Sequence, residues 1–123
     1  MRIVYACALA LIAACTNSGD TQRLAIGSPC KTTADCGTGK FFCATDHPNG
    51  YCKAVCHSDA DCPSGSVCAG AGAVSPGECH KDCTQATKST DCRLTEGYIC
   101  KDMPDDASHD YCDVPEDTGD GGA

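Results

Sequence analysis

The chain lacks what a soluble domain ordinarily folds around. Among its 123 residues there is no tryptophan, and there are only two phenylalanines and four tyrosines. Between Cys30 and Cys112 the large aliphatic residues and phenylalanines are Phe41, Phe42, Val55, Val67, Val74, Leu94 and Ile99 alone. Those side chains bury too little apolar area to offset the entropy of ordering about eighty others. The hydrophobic fraction of 41% is mostly alanine and cysteine. Positive charge is also scarce: nine lysines and arginines face 17 acidic residues, for a net charge of -8. The lysines lie singly, with no basic stripe to neutralise phosphates, which excludes a nucleic-acid partner. The acidity suits a surface protein that must stay soluble. An acidic, core-poor sequence of this kind would ordinarily remain disordered.

Cysteine reverses that expectation. Twelve of the fourteen cysteines form one four-cysteine pattern written three times: Cys30, Cys36, Cys43, Cys52; then Cys56, Cys62, Cys68, Cys79; then Cys83, Cys92, Cys100, Cys112. Each second cysteine follows an aspartate (Asp35, Asp61, Asp91). Each third follows an apolar residue (Phe42, Val67, Ile99), with Gly39, Gly65 or Gly97 just upstream. Three residues join one copy to the next, Lys53-Ala54-Val55 and His80-Lys81-Asp82. Such periodicity marks an array of small units. Domains without a core are held by disulfides, which persist in oxidising compartments.

The N-terminus carries an address. After Arg2, an uncharged apolar run from Ile3 to Ala14 is too short to cross a bilayer but fits the hydrophobic region of a signal peptide, residues 1–14. It ends in Leu11-Ile12-Ala13-Ala14-Cys15. This resembles the lipobox of bacterial lipoproteins, which implies that Cys15 is lipidated and becomes the mature N-terminus. Cys7 follows too short an apolar run to serve. Removing Cys7 with the signal and Cys15 by lipidation leaves 14 - 2 = 12 cysteines, all within the repeats. An ordinary secretory signal cut at Ala8-Leu9-Ala10 would instead leave an odd thiol. The residue after Cys15 is Thr16 rather than the aspartate that commonly signals inner-membrane retention in such lipoproteins. The resemblance therefore implies an outer-membrane lipid anchor, on its periplasmic or its surface-exposed face. Residues 15–29 read as the lipidated cysteine and a flexible polar tether, able to reach about 45 Å when extended.

The fold class expected is small and disulfide-rich, mostly loops with short β-hairpins, and with little or no helix outside the signal peptide. Modules 30–52, 56–79 and 83–112 each carry one hairpin, followed by a disordered acidic tail over 113–123. Asn49-Gly50 is a hairpin-turn signal in the first module, because both positions tolerate positive φ. Pro76-Gly77 and Pro104-Asp105-Asp106 mark the loops of the others. The third and fourth cysteines of each copy then sit on paired strands, with the first two in a preceding loop. Four cysteines allow three pairings. The interleaved one, first with third and second with fourth, ties loop to hairpin twice; it gives Cys30–Cys43 with Cys36–Cys52, Cys56–Cys68 with Cys62–Cys79, and Cys83–Cys100 with Cys92–Cys112. Nested pairing stays open. The aspartate before each second cysteine is expected to fix a turn by accepting from a backbone N–H two residues on.

The Asp-Cys, Gly, apolar-Cys pattern resembles small extracellular disulfide modules of the EGF-like, Dickkopf and colipase-like type. It also resembles the cysteine-rich tandem repeats of bacterial surface lipoproteins. Because such modules bind very different things, the likeness implies fold and compartment rather than partner. The chain lacks the Asp-x-Asp/Asn-Glu entry of calcium-binding EGF modules, so calcium is not carried over.

Candidate chemistry is sparse. His57 and His80 adjoin cysteines, and Cys-x3-Cys occurs twice (Cys52 to Cys56, Cys79 to Cys83), but zinc sites need reduced thiolates and more typically show Cys-x2-Cys. His47, His57, His80 and His109 read as solvated loop residues. The acidic groups Asp59 with Asp61, Asp105 with Asp106, and Glu116, Asp117 and Asp120 lack the alternating ligands of a calcium loop. Ala73-Val74-Ser75-Pro76-Gly77 is no nucleophile elbow, and Gly70-Ala71-Gly72 is no phosphate loop. His57-Ser58-Asp59 are sequential neighbours, whereas triad members converge from separate elements. No enzyme, cofactor or metal is expected.

The sequence reads as a lipid-anchored, non-catalytic envelope protein carrying a rigid rod of three modules. Its partners are the membrane, through Cys15, and a protein or surface glycan. Phe41, Tyr51, Tyr98 and Tyr111 are the candidate contact aromatics, or else lids over the disulfides. The alternative is a protease inhibitor presenting a disulfide-locked loop, either Thr84 to Asp91 with Lys88, or Ala69 to Glu78. A metal-binding Cys/His protein is the second alternative.

Overall fold

The computed structural model describes residues 19–103 and 108–116. The signal run, Cys7, Cys15, Asp105, Asp106, Asp117 and Asp120 lie outside them. The described chain forms eight short strands and two single-turn helices. These are β1 (Thr21–Gln22), α1 (Thr33–Cys36), β2 (Gly37–Thr38), β3 (Phe41–Ala44), β4 (Tyr51–Cys56), β5 (Ser66–Ala69), β6 (Gly77–Cys83), α2 (Lys88–Asp91), β7 (Ile99–Asp102) and β8 (Asp110–Asp113). A small disulfide-rich fold of hairpins, loops and almost no helix is therefore what these residues build.

Each module is one antiparallel hairpin: β3 with β4, β5 with β6, and β7 with β8. In every hairpin the third and fourth cysteines stand directly opposite one another, Cys43 to Cys52, Cys68 to Cys79 and Cys100 to Cys112. Opposite residues of an antiparallel pair project to the same face. Each of these cysteines bonds backwards to the loop rather than across the hairpin. The six bridges are Cys30–Cys43, Cys36–Cys52, Cys56–Cys68, Cys62–Cys79, Cys83–Cys100 and Cys92–Cys112, interleaved in all three copies. They close loops with sequence separations of 12 to 20 residues. A loop of that length contributes about 3 kcal/mol by restricting the unfolded chain.

Local chemistry sets the turns. Asn49 and Gly50 both adopt positive φ, 57° and 72°, as the first hairpin turn requires. Gly50 is needed on a second count, since a Cβ there would lie 1.9 Å from the Cys30 carbonyl oxygen. Gly39, Gly65 and Gly97 share positive φ at the entry to the third-cysteine strands.

The repeated aspartate works differently from the expectation. Asp35 closes α1 by reaching back, its Oδ2 accepting from the N–H of Lys31 (2.9 Å) and of Thr32 (2.8 Å). Asp61 does the same for a 3-10 turn at Asp59–Asp61, accepting from His57 (2.8 Å) and Ser58 (3.3 Å). These are capping boxes, in which the third residue of a helical turn satisfies the donor of its cap. Asp91 makes no such bond among the described residues; Thr84 and Thr87 close that turn between themselves instead.

The connectors between modules are strand rather than linker. β4 runs through Lys53-Ala54-Val55 and pairs with β3 on one stretch and β6 on the next. β6 runs through His80-Lys81-Asp82 and pairs with β5 and then with β8. The strand order is β3-β4-β6-β8-β7, with β5 also on β6. Consecutive modules therefore share backbone hydrogen bonds.

The first and third modules also meet, which corrects the expectation of an extended rod. The Tyr51 hydroxyl donates to the Cys112 carbonyl (3.1 Å) and accepts from the Lys81 N–H (3.0 Å). The Tyr98 hydroxyl donates to the Pro48 carbonyl (2.8 Å). Arg93 donates to the Gly50 carbonyl (2.5 Å) and lies 4.4 Å over the Tyr98 ring. Its Nε is buried without a hydrogen-bond acceptor. The Tyr51 and Tyr98 ring centroids are 5.2 Å apart.

Phe41, Tyr51, Tyr98 and Tyr111 are accordingly buried, not exposed contact residues. Around the sulfurs, Phe41, Tyr51 and Tyr98 form, with Ile26 and Ala54, the core that the composition does not advertise. Tyr98→Ala should lower the stability of the oxidised protein by about 3–5 kcal/mol, the usual cost of truncating a buried aromatic. Val74→Ser, at a fully exposed position, should change it by less than about 0.5 kcal/mol. Chemical denaturation with the bridges intact measures both.

Candidate functional site

The fold brings three sulfur clusters together: Cys30, Cys36 and Cys43; Cys56, Cys62 and Cys79; and Cys83, Cys92 and Cys100, each with its sulfurs within 4.8 Å of one another. They arise because the two bridges of a module pack side by side. Every one of these sulfurs is bonded to another sulfur, so none is a thiolate that could ligate a metal. Binding there would first require reduction and loss of the framework.

The four histidines have unlike surroundings. His57 is exposed, as expected. His109 is partly buried. His47 is mostly covered, with Nδ1 2.9 Å from Asp46 and Nε2 3.2 Å from Asp113, and it stacks on Tyr98. The hydrogen bond from His47 holds the Asp46 carboxyl below its usual range. His80 is buried, which corrects its reading as a solvated residue. It lies edge-on to Tyr111 with centroids 4.9 Å apart, and its Nδ1 donates to the Cys112 carbonyl at 3.1 Å. Burial, and then the nearby Lys53 ammonium, push its pKa down to about 4. Sequence could not single it out, since a histidine between two cysteines reads alike whether it faces solvent or core.

The acidic pair Asp59 and Asp61 is spent on backbone. Asp59 Oδ1 accepts from the Cys68 N–H at 2.7 Å, while Asp61 closes its turn. The same cap hydrogen bonds hold Asp35 and Asp61 below the usual carboxylate range. Glu116 takes the Lys101 ammonium at 2.5 Å. Thus His57, Ser58 and Asp59 support a turn and do not converge.

Of the two loops considered for protease binding, Thr84 to Asp91 places Lys88 in a helical turn rather than on an extended segment. Ala69 to Glu78 projects Val74 fully into solvent, and its tip is closed by the Gly72 N–H donating to the Ser75 carbonyl at 2.9 Å.

An open groove of about 650 Å³ lies on the first module. Arg23, Leu24, Pro29, Lys31, Ala34 and Asn49 line it. Arg23 is steadied by donating to the Ala34 carbonyl at 3.3 Å, and Asn49 by donating to Glu96 at 2.6 Å. No sequence signal marked this groove, because part of its lining, Arg23, Leu24 and Pro29, comes from the segment read as a tether. That segment is in fact built into the module. β1 pairs with β2, and Ile26 is buried. The Asp20 carboxylate accepts from the Lys40 N–H at 2.9 Å, and Gly27 donates to the Cys52 carbonyl at 2.9 Å.

No protein-family model, curated protein or solved structure matches the chain. Among the described residues, no helix is long and apolar enough to cross a membrane.

His80 makes stability depend on pH. Its folded pKa lies below the ordinary 6.5, so between about 6.5 and 4 the unfolded chain binds a proton that the folded one refuses. Stability present above that window should fall as pH is lowered through it, by up to about 3 kcal/mol. Below it, protonation of Asp35 and Asp61 should remove more. His80→Gln, which keeps a donor but does not titrate, should flatten the profile between those limits in thermal denaturation.

Proposed function

We propose that this chain is a lipid-anchored bacterial envelope protein, held at the outer membrane through Cys15, whose three fused modules act without catalysis as an interaction or structural element. The observation that carries the reading is the cysteine arithmetic. Every cysteine beyond Cys15 belongs to one of six bridges, which leaves Cys15, at the end of Leu11-Ile12-Ala13-Ala14, as the one cysteine after the signal run without a disulfide role. The bridges themselves fit export to an oxidising compartment.

A non-catalytic role is supported by how the polar groups are used. Asp35, Asp59 and Asp61 hold backbone, and Arg93, Tyr51 and Tyr98 hold the first module to the third. A reaction needs a nucleophile, an acid or base, and a place for substrate to meet both. A rigid frame with committed polar groups suits recognition instead, because little order remains to be imposed on binding. The partner is a protein or surface glycan of the envelope. Inhibition through Lys88 is disfavoured by the helical turn that carries it.

Intact mass of the protein extracted from membranes tests the reading. The chain should begin at Cys15, carry acyl groups, and take up alkyl groups on twelve cysteines only after reduction. Alkylation without reduction, or zinc copurifying at a fixed ratio, would overturn the disulfide framework and favour the metal-binding alternative.

A further inference from the structure

The groove on the first module and the anchor belong to the same stretch of chain. With Asp20, β1, Ile26 and Gly27 fixed to the module, only residues 16–18 separate Cys15 from Gly19, the first described residue. That gap spans at most about 14 Å. Arg23 and Leu24 follow within a few residues, their N–H groups donating to the Cys36 carbonyl at 2.9 and 3.4 Å.

We propose that the face carrying Arg23, Leu24, Pro29 and Lys31 lies on the membrane that holds Cys15 and binds the phosphates of its anionic lipid headgroups. The inference rests on the lipid-anchor reading and deepens it. Arg23 and Lys31 supply two cations to the groove against one carboxylate, Asp35, for a balance of 2 - 1 = +1 in a chain of -8. That carboxylate is turned onto the N–H groups of Lys31 and Thr32. Leu24, 38% exposed, and Pro29 add apolar surface to the same lining as the cationic side chains. Long cationic side chains around a small apolar patch are the pattern of interfacial contact, with stems against the acyl boundary and heads at the phosphates. The short tether makes the encounter intramolecular, so a contact too weak for the free protein is still occupied. An anionic surface repels the acidic remainder, which orients the cationic groove toward it.

The test uses the acylated protein in vesicles of phosphatidylcholine, with and without phosphatidylglycerol. Amine acetylation of Lys31 is compared with that of Lys88, an exposed lysine of the third module, in the same molecules. Phosphatidylglycerol should slow Lys31 about fivefold, the effect of one net cation near an anionic surface, and leave Lys88 unchanged. Arg23→Glu, with its six bridges verified by mass, should abolish the slowing. Lys31 rates equal in both vesicle types and no slower than in neutral detergent micelles, in protein that carries acyl chains and floats with the vesicles, would overturn the docking while the anchor stands. Equal protection in both would assign the contact to apolar insertion and overturn the headgroup role, as would slowing that survives Arg23→Glu. Protein without acyl chains that fails to float would remove anchor and docking together.

Discussion

Two disulfides packed side by side, each linking a loop cysteine to one strand of a hairpin, are the constraint from which the rest of this structure follows. Because the third and fourth cysteines of a module stand opposite each other on one face, both loop cysteines must come to that face. The loop is thereby laid over the hairpin. The sulfurs then fill the volume that leucine and isoleucine occupy in an ordinary domain, and Cys36, Cys52, Cys56, Cys79 and Cys112 are among the most deeply buried residues. A chain with so little apolar area can fold this way because the bridges lower the entropy of the unfolded state rather than adding burial to the folded one.

Three such units need not form one body. They do so here because the three-residue connectors are too short to be free and continue as strand. β4 and β6 each serve two hairpins, so backbone pairing crosses every module boundary. The remaining aromatics then close the first module onto the third: Tyr98 and Arg93 bond the Pro48 and Gly50 carbonyls of the first hairpin turn, Tyr51 bonds the Cys112 carbonyl, and the rings lie against one another. The interface places His80 in surroundings that refuse its charge. The disulfides set the units, and the tyrosines set their arrangement.

That division bears on function. Polar side chains that sequence inspection would test for catalysis or metal binding serve turns, caps and the junction. The groove, by contrast, is lined by residues with exposed charge, and it sits where the chain emerges from its proposed anchor. A protein so constructed presents surfaces, and because the apparent tether is mostly folded, the proposed anchor at Cys15 would hold the first module's surface close to the membrane.

The sequence by itself determined the three modules, their hairpins and the kind of framework, because cysteine spacing and turn residues are local and repeated. Asn49-Gly50, the Asp-Cys pairs and the glycines before the third cysteines all act within a few residues of where they stand. Sequence favours interleaved pairing, but only the bridges themselves, Cys30–Cys43 and Cys36–Cys52 in the first module and their counterparts in the others, exclude the nested one. Only the tertiary structure decided that Tyr51, Tyr98, Tyr111 and His80 are interior, that residues 20–29 belong to the first module, and that Arg23 and Lys31 share a groove. Each of those facts depends on contacts between segments tens of residues apart, and such contacts leave no periodic trace in a chain with few apolar residues to pattern.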